Sequence, residues 1–320
     1  MKILAVQNRM GIGDTVIFLP FIKALYKKFN SPISLLVKES SKADQYLFQT
    51  NYIDKIIKLE RDDKINGRHN GFLGSYNLIN DLRKYKFDKI FIFNSSLRFN
   101  LIARLSKIPE IYQYPLFKKY EQHITNVPKK FVKDVINVEI NEDPEIQIDN
   151  KTVQEVTQKF KIDKNELNIL LGIGGSGPTK RIPSKTFLEV IDKILKIKKS
   201  KFFLATGKNA EEQIILNEIL GSKFKNFCFP LDNFLIKETL PIIKNCDFSI
   251  CNDSSFSHLS AALGIKTITL MADTPLIYGN YNSKMFPIIP DGEITVGHDT
   301  LGKEKINPQK ILNKVIEILN

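Results

Sequence analysis

Two stretches of this chain, about 160 residues apart, run through the same order of elements: a buried strand, a glycine-bearing loop and an amphipathic helix. In the first, Lys2–Gln7 reads as the strand and the helix runs from about Thr15 to Phe29. In the second, Asn168–Gly172 is the strand, Ile173–Arg181 a glycine-rich loop and Ser184–Ile197 the helix. Further short apolar runs at Ile33–Val37, Lys89–Phe93, Phe202–Ala205, Phe248–Cys251 and Thr267–Met271 also read as strands. Strands that are apolar without alternation suit burial on both faces, and helices between them wrap a parallel sheet. The expected fold class is therefore α/β. Beyond the shared order of elements the two halves show no repeated residues.

A chain of 320 residues fits two domains at the usual size of roughly 100–200 residues each. The polar, strand-poor stretches Asp149-Asn150-Lys151 and Lys161–Glu166 place the boundary near 150–165, giving domains 1–157 and 158–320. Glu60–Ser75 reads as a mobile loop, and residues 110–150 are less regular, with Pro109, Pro115, Pro128 and Pro144. Asn307 can cap the last helix and Pro308 suits its first position. Its stripe of Ile311, Leu312, Val315, Ile316 and Leu319 needs a surface to dock on, the N-terminal domain being one.

Composition excludes several classes. Hydrophobic residues at 42% and charged residues at 26% are ordinary for a globular protein. No apolar run approaches the ~20 residues of a membrane span, and the first residues turn polar too soon for a signal peptide. The expected location is cytoplasmic. Cys228, Cys246 and Cys251 form no CxxC pair, and His69, His123, His258 and His298 show no metal-ligand spacing. The net charge of +12 is mostly lysine and spread out, with small clusters at 196–201 and Lys118-Lys119. A nucleic-acid binder concentrates its charge and interleaves aromatics, so no nucleic-acid partner is expected. Anionic small molecules, an anionic membrane face, or plain solvated lysine faces all fit the charge.

Three places carry chemistry. In Asn8-Arg9-Met10-Gly11-Ile12-Gly13-Asp14, Gly11 and Gly13 let the chain turn at the carboxyl end of a strand, where open α/β sheets bind ligands. Val16 stands where a dinucleotide fingerprint needs its third glycine. Asp14 reads either as an N-cap or as a carboxylate able to take a proton from a hydroxyl. In the second loop, Gly172, Gly174, Gly175, Ser176, Gly177, Thr179, Lys180 and Arg181 offer backbone N–H groups, hydroxyls and cations to phosphate. Pro178 replaces the lysine of a Walker loop. The third place is Asp253-Ser254-Ser255-Phe256-Ser257-His258, opening a small-residue helix closed by Gly264. Its hydroxyls crowd a helix N-terminus that favours an anion, and beside them His258 reads as a ligand contact over a structural histidine.

Taken together these motifs resemble glycosyltransferase family 9, the lipopolysaccharide heptosyltransferases. Met10–Asp14 resembles the family's opening G-x-x-G-D loop, and Pro20–Leu25 its P-A-L-x-A-L helix. Lys180-Arg181-Ile182-Pro183 matches K-R-W-P, and Asp253–Gly264 matches D-[ST]-G-x-x-H-x-A-A-A-L-G. Met271-Ala272-Asp273-Thr274-Pro275 resembles F-G-x-T-x-P. The resemblance implies a GT-B fold of two Rossmann-like domains with a cleft between them, the N-terminal one holding the acceptor and the C-terminal one the nucleotide sugar. It implies an inverting, metal-independent transfer, with ADP-heptose the family-level donor and a cell-envelope glycan or glycolipid the acceptor. Asp14 would be the base, and Lys180 with the start at Ser254–Ser255 would offset the leaving diphosphate. Asp253 and His258 would line the donor pocket, and Glu211 or Glu212 would hold the ribose. Two departures stand out: Ser255 replaces a glycine, and Ile182 replaces a tryptophan expected to lie flat near the donor. An epimerase or hydrolase of the same fold, or a non-catalytic sugar-nucleotide binder, are the competing expectations.

Overall fold

A computed structural model describes residues 1–61, 67–116 and 124–320, so Lys118, Lys119 and His123 lie outside the described residues. The chain divides into two compact units, Met1–Gln147 and Ile148–Asn320.

The first unit runs β1 (Ile3–Gln7), α1 (Ile12–Phe29), β2 (Ile33–Lys38), β3 (Ile53–Leu59), α2 (Gly71–Tyr85), β4 (Lys89–Ile92), α3 (Leu97–Leu105), β5 (Glu110–Gln113) and α4 (Asn126–Ile136). Its five strands are all parallel in the order β3-β2-β1-β4-β5. One face packs Leu4, Val6, Ile90 and Ile92 against Leu78 and Leu82 of α2 and Phe99 and Ile102 of α3. Phe18 and Phe21 of α1 meet edge-on at 5.4 Å, and Phe18 and Phe93 at 5.6 Å. The strand order reverses between β1 and β4, and there the loop after β1 carries Arg9 and leads into the first turn of α1, which holds Asp14.

Part of the stretch expected as a mobile loop is helix. Gly67–Asn70 turns into α2, which starts at Gly71. His69 is buried there: its Nδ1 accepts the Glu60 N–H at 3.0 Å, and its Nε2 lies 3.3 Å from Asp81. Sequence patterning failed because the helix opens on solvent-facing Phe72, Leu73 and Tyr76, an apolar triplet with no partner face to give it a period.

The second unit runs α5 (Asn150–Lys159), β6 (Leu167–Gly172), α6 (Ser184–Leu195), β7 (Ser200–Ala205), α7 (Ala210–Leu220), β8 (Cys228–Pro230), α8 (Ile236–Lys244), β9 (Phe248–Asn252), α9 (Ser255–Ala262), β10 (Lys266–Leu270), β11 (Met285–Ile288) and α10 (Pro308–Leu319). Its six parallel strands are ordered β11-β10-β9-β6-β7-β8, the doubly wound arrangement with its reversal between β6 and β9. At that crossing a Cβ on Gly172 would lie 2.6 Å from the Cys251 sulfur, so the glycine lets the two central strands pair. Burial pushes the Cys251 thiol up to about 12, in keeping with an inert core thiol.

Two expectations need correction. The division falls after Gln147, because Asp149 caps α5 by accepting the Thr152 N–H at 2.7 Å and α5 packs on α8. Thr157 donates to Asn245 at 2.9 Å and Asn245 donates to the Val153 carbonyl at 3.3 Å, sealing that contact. The last helix docks within the second unit, on α6, β10 and β11, through Ile311, Leu312, Val315 and Ile318. Ile316 and Leu319 lie off that stripe and are partly exposed. Among the described residues no helix is long and apolar enough to cross a membrane.

Candidate active site

In the first unit α1 begins at Ile12, earlier than the sequence suggested, with Gly11 as its N-cap. Asp14 is therefore not the N-cap but the third helical residue, and its Oδ2 accepts the Gly11 N–H at 3.0 Å. Its Oδ1 lies 3.7 Å from Arg9 Nη1, both side chains staying partly exposed. Gln7 braces the turn, accepting the Arg9 N–H at 2.9 Å and donating to the Asp14 carbonyl at 3.4 Å. The turn thus holds a solvent-accessible carboxylate at the sheet's carboxyl edge, its orientation set from two sides. Gly13 is half-buried within the same first helical turn.

In the second unit the glycine-rich loop leaves β6 and closes through a short 3-10 turn, Pro178–Lys180, before α6. Gly174 and Gly175 are buried, Ser176 is exposed and Thr179 half-buried. The clamp on this loop is Glu212. Its Oε1 accepts the Gly175 N–H at 2.6 Å, its other oxygen accepts from Asn209, and its own N–H is capped by Asn209 at 3.0 Å. A Cβ on Gly174 would stand 2.6 Å from that same Oε1. Glu211, one of the two glutamates expected to hold the ribose, is exposed and pairs with Arg181. Arg181 is buried and also donates from Nε to the Gly175 carbonyl at 2.9 Å, so its guanidinium braces the loop from inside.

Lys180 points elsewhere. Its ammonium donates to Asp253 Oδ2 at 2.8 Å, and His258 Nε2 lies 3.9 Å from Oδ1 of the same carboxylate. Tyr281 was not singled out in the sequence; its hydroxyl is 2.7 Å from His258 Nδ1 and its ring stacks on the imidazole. Asn252, also missed, donates to the carbonyls of Ile173 at 2.8 Å and Gly174 at 3.2 Å, fastening the end of β9 to the loop after β6. Lys180, Asp253 and His258 are thus brought together at the reversal of strand order, where doubly wound sheets hold ligands.

Ser254 is the N-cap of α9, with Ser255 as its first residue. Ser257 Oγ donates back to the Ser254 carbonyl at 2.7 Å, so that hydroxyl is used inside the helix start. Four buried polar atoms at the carboxyl edge have no protein partner: Thr206 Oγ1, Asn252 Oδ1, Ser254 Oγ and Thr274 Oγ1. Other buried atoms without a protein partner lie away from this edge, Tyr114 Oη and Asn168 Oδ1 among them. Asp273 is held at the carboxyl edge. Burial works to raise its pKa, but the Leu301 N–H at 2.9 Å, the Thr179 hydroxyl and His298 outweigh it and keep the carboxyl below its usual range. Among the described residues no group of three or more His, Cys, Asp or Glu is placed to hold a metal ion.

The glycosyltransferase family 9 (heptosyltransferase) model matches residues 111–286, more than half of the chain. The chain belongs to that family. It is a glycosyltransferase. Lipopolysaccharide heptosyltransferase 1 of Campylobacter coli is 24% identical to it, over 92% of this chain and 90% of that one. Among solved structures, the family 9 glycosyl transferase from Veillonella parvula superposes with a TM-score of 0.80 at 18% identity, covering 99% of this chain and 97% of its own. The E. coli ADP-heptose lps heptosyltransferase II gives 0.75 at 16% identity, covering 100% and 98%. The likeness shows the GT-B class, two Rossmann-like units in one chain.

For this glycosyltransferase the Ile182 departure takes a different meaning from the one expected. Ile182 is fully buried in the core of the second unit beside Phe187 and Val190, so no flat surface is lost at that position. Ser255 is half-buried at the first turn of α9, where its hydroxyl adds a polar group to the helix start.

Proposed function

We propose that this glycosyltransferase moves heptose from ADP-heptose to a hydroxyl of a lipopolysaccharide-type acceptor, with inversion at the anomeric carbon. The first unit (1–147) takes the acceptor and the second (148–320) the nucleotide sugar. Asp14 accepts the proton of the attacking hydroxyl as the oxygen bonds to the anomeric carbon. The bond from that carbon to the diphosphate oxygen breaks, and its electron pair leaves with ADP. A positioned general base contributes on the order of 10²–10⁴-fold.

Lys180 and the N-terminus of α9 stabilise the departing diphosphate. One of the three ammonium N–H groups goes to Asp253, and the others are offered to phosphate. The N–H groups of Ser254 and Ser255, with the helix dipole, add to this without reorganising. Gly174, Gly175, Ser176 and Thr179 form the cradle that approaches the nucleotide, and Asp253 with His258 orient Lys180. The observation that carries the reading is this Lys180–Asp253–His258 cluster beside unpartnered buried polar atoms at the strand-order reversal. The heptosyltransferases to which the chain is similar support this acceptor class, and on this reading the enzyme works at the cytoplasmic face of the inner membrane.

Thermal stabilisation by ADP, UDP, GDP, CMP and NAD tests the donor. A nucleotide at about 100 times its Kd adds roughly 2.7 kcal/mol. Stabilisation by ADP above the others is expected; UDP or GDP in its place would keep the transferase and change the donor.

A further inference from the structure

The chain between β10 and β11 brings a tyrosine back to the site. Beyond Leu270 it turns through Leu276–Tyr278 and reaches Gly279, where a Cβ would collide with the fully buried Met271 side chain. The glycine thus lets the chain fold back over the end of β10. Just past it, the Asn282 side chain accepts the Lys284 N–H at 2.8 Å, and the Met285 N–H donates to the Asn282 carbonyl at 3.0 Å. Tyr281 is half-buried between these two fixed points. Its hydroxyl stands 2.7 Å from His258 Nδ1, and the rings stack with centroids 5.6 Å apart and planes 23° apart.

His258, the fourth residue of α9, is 6% exposed and Asp253 5%. The imidazole presents Nδ1 to Tyr281 and Nε2 to Asp253 Oδ1, 3.9 Å away. Lys180 donates to the other oxygen, Oδ2, at 2.8 Å, so the carboxylate's charge is already balanced and a neutral imidazole completes the set. A neutral imidazole has one N–H and one lone pair, and the bond made at one nitrogen decides what the other presents. A phenol can donate or accept, whereas a carboxylate only accepts. With the proton on Nδ1, the Nε2 lone pair would face a carboxylate oxygen, a repulsion felt strongly in so buried a place. With the proton on Nε2, the Tyr281 hydroxyl donates to Nδ1 and the imidazole N–H faces Asp253. This second arrangement leaves each neighbour along Tyr281, His258, Asp253 and Lys180 facing a complementary one.

We propose that Tyr281 is a positioning residue for the phosphate site: its hydroxyl donates to His258 Nδ1, keeps the imidazole proton on Nε2, and so holds Asp253 and the Lys180 ammonium in place for the donor diphosphate. The inference rests on the diphosphate lying at Lys180, as proposed above. Freed from Tyr281, the imidazole no longer has a fixed face toward Asp253, and the carboxylate that anchors Lys180 loses its backing.

Tyr281→Phe keeps the stacked ring and removes the hydroxyl. Nitrogen-15 spectra of the histidine side chains, with His258 assigned by the signals lost in His258→Gln, report its tautomer without any ligand. The wild type should show His258 as the Nε2–H form with a hydrogen-bonded Nδ1, and Tyr281→Phe should lose that Nδ1 signature. ADP affinity by calorimetry should fall by about threefold to tenfold in Tyr281→Phe, the worth of one neutral hydrogen bond. Glutamine at position 258 carries an amide N–H and has no tautomer to set. Tyr281→Phe added to His258→Gln should therefore cost no further affinity. A wild-type proton on Nδ1 or on both nitrogens, spectra untouched by Tyr281→Phe, or unchanged ADP affinity overturns the proposal. An affinity loss that persists undiminished in the glutamine background assigns Tyr281 to loop packing and overturns it too. Wild type that binds no ADP overturns the donor reading and this role with it, whereas normal wild-type binding that Tyr281→Phe leaves intact overturns the role of Tyr281 alone.

Discussion

Replacing Glu212 by glutamine exchanges only one carboxylate oxygen for an NH₂, yet it should loosen the second unit measurably. Both carboxylate oxygens accept: Oε1 from the buried Gly175 N–H at 2.6 Å, the other from the Asn209 amide. A glutamine presents one oxygen and one NH₂, so one donor must face another donor. Losing one charge-assisted bond in this setting costs about 1.5–3 kcal/mol. For a unit of this size that corresponds to a melting shift of roughly 3–12 °C. A second perturbation sharpens the test. The Cβ of Gly174→Ala would meet Oε1 at 2.6 Å and Thr206 Oγ1 at 3.1 Å, displacing the pinned carboxylate at a cost of about 1–3 kcal/mol. In a Glu212→Ala background the closer of those atoms is gone. The double variant should therefore be less destabilised than the sum of the two singles, by about 1–2 kcal/mol. Urea melts of the four proteins give the cycle. A glutamine variant melting within a degree or so of wild type, or strictly additive singles, would refute the clamp.

Two further outcomes follow from the ion pairs. Lys180→Gln should weaken ADP binding at least tenfold by calorimetry and cost about 1–2 kcal/mol of stability, since it strands the buried Asp253 carboxylate; unchanged affinity would remove Lys180 from the phosphate site. Asp81 is held far below the usual carboxylate range, first by Arg68 and then by Lys84 and His69 against its own desolvation. A depressed native pKa adds stability above the ordinary value near 4 and loses it as pH falls toward the native one. Asp81→Asn should thus cost about 1–2 kcal/mol at neutral pH, the two proteins converging in acid; a gap that stays constant with pH would refute the linkage.

How much of this was legible in the sequence depended on burial. The central strands β1, β4, β6, β9 and β10 stand out because both faces are covered and apolar residues run through them with few polar interruptions. The edge strands β3, β5, β8 and β11 did not, because Ile-Asp-Lys-Ile-Ile-Lys-Leu or Cys-Phe-Pro carry the polar and proline residues that edges tolerate. Asp149 was read as linker although an Asp three residues before Thr152 is a capping signature, and the domain boundary moved with it. The loops carrying Asp14, Lys180 and Asp253 were visible from glycine, hydroxyl and charge at strand ends. What their side chains do was not. Arg181 turns inward because the Gly175 carbonyl and Glu211 receive it, and Glu212 is the clamp because its face of α7 looks at the loop. Tyr281 reaches His258 from beyond β10, a tertiary contact without a local signal.

Transfer of heptose with Asp14 as base is open to one direct comparison. Wild type and Asp14→Asn are incubated with ADP-heptose and a heptose-deficient lipopolysaccharide acceptor, and the acceptor's mass is followed with ADP release. The wild type should add one heptose per ADP released, and Asp14→Asn should lose transfer by about 10²–10⁴-fold while still binding ADP. Transfer undiminished in Asp14→Asn would remove the base, and ADP release by the wild type without any mass gain on the acceptor would contradict the transfer itself.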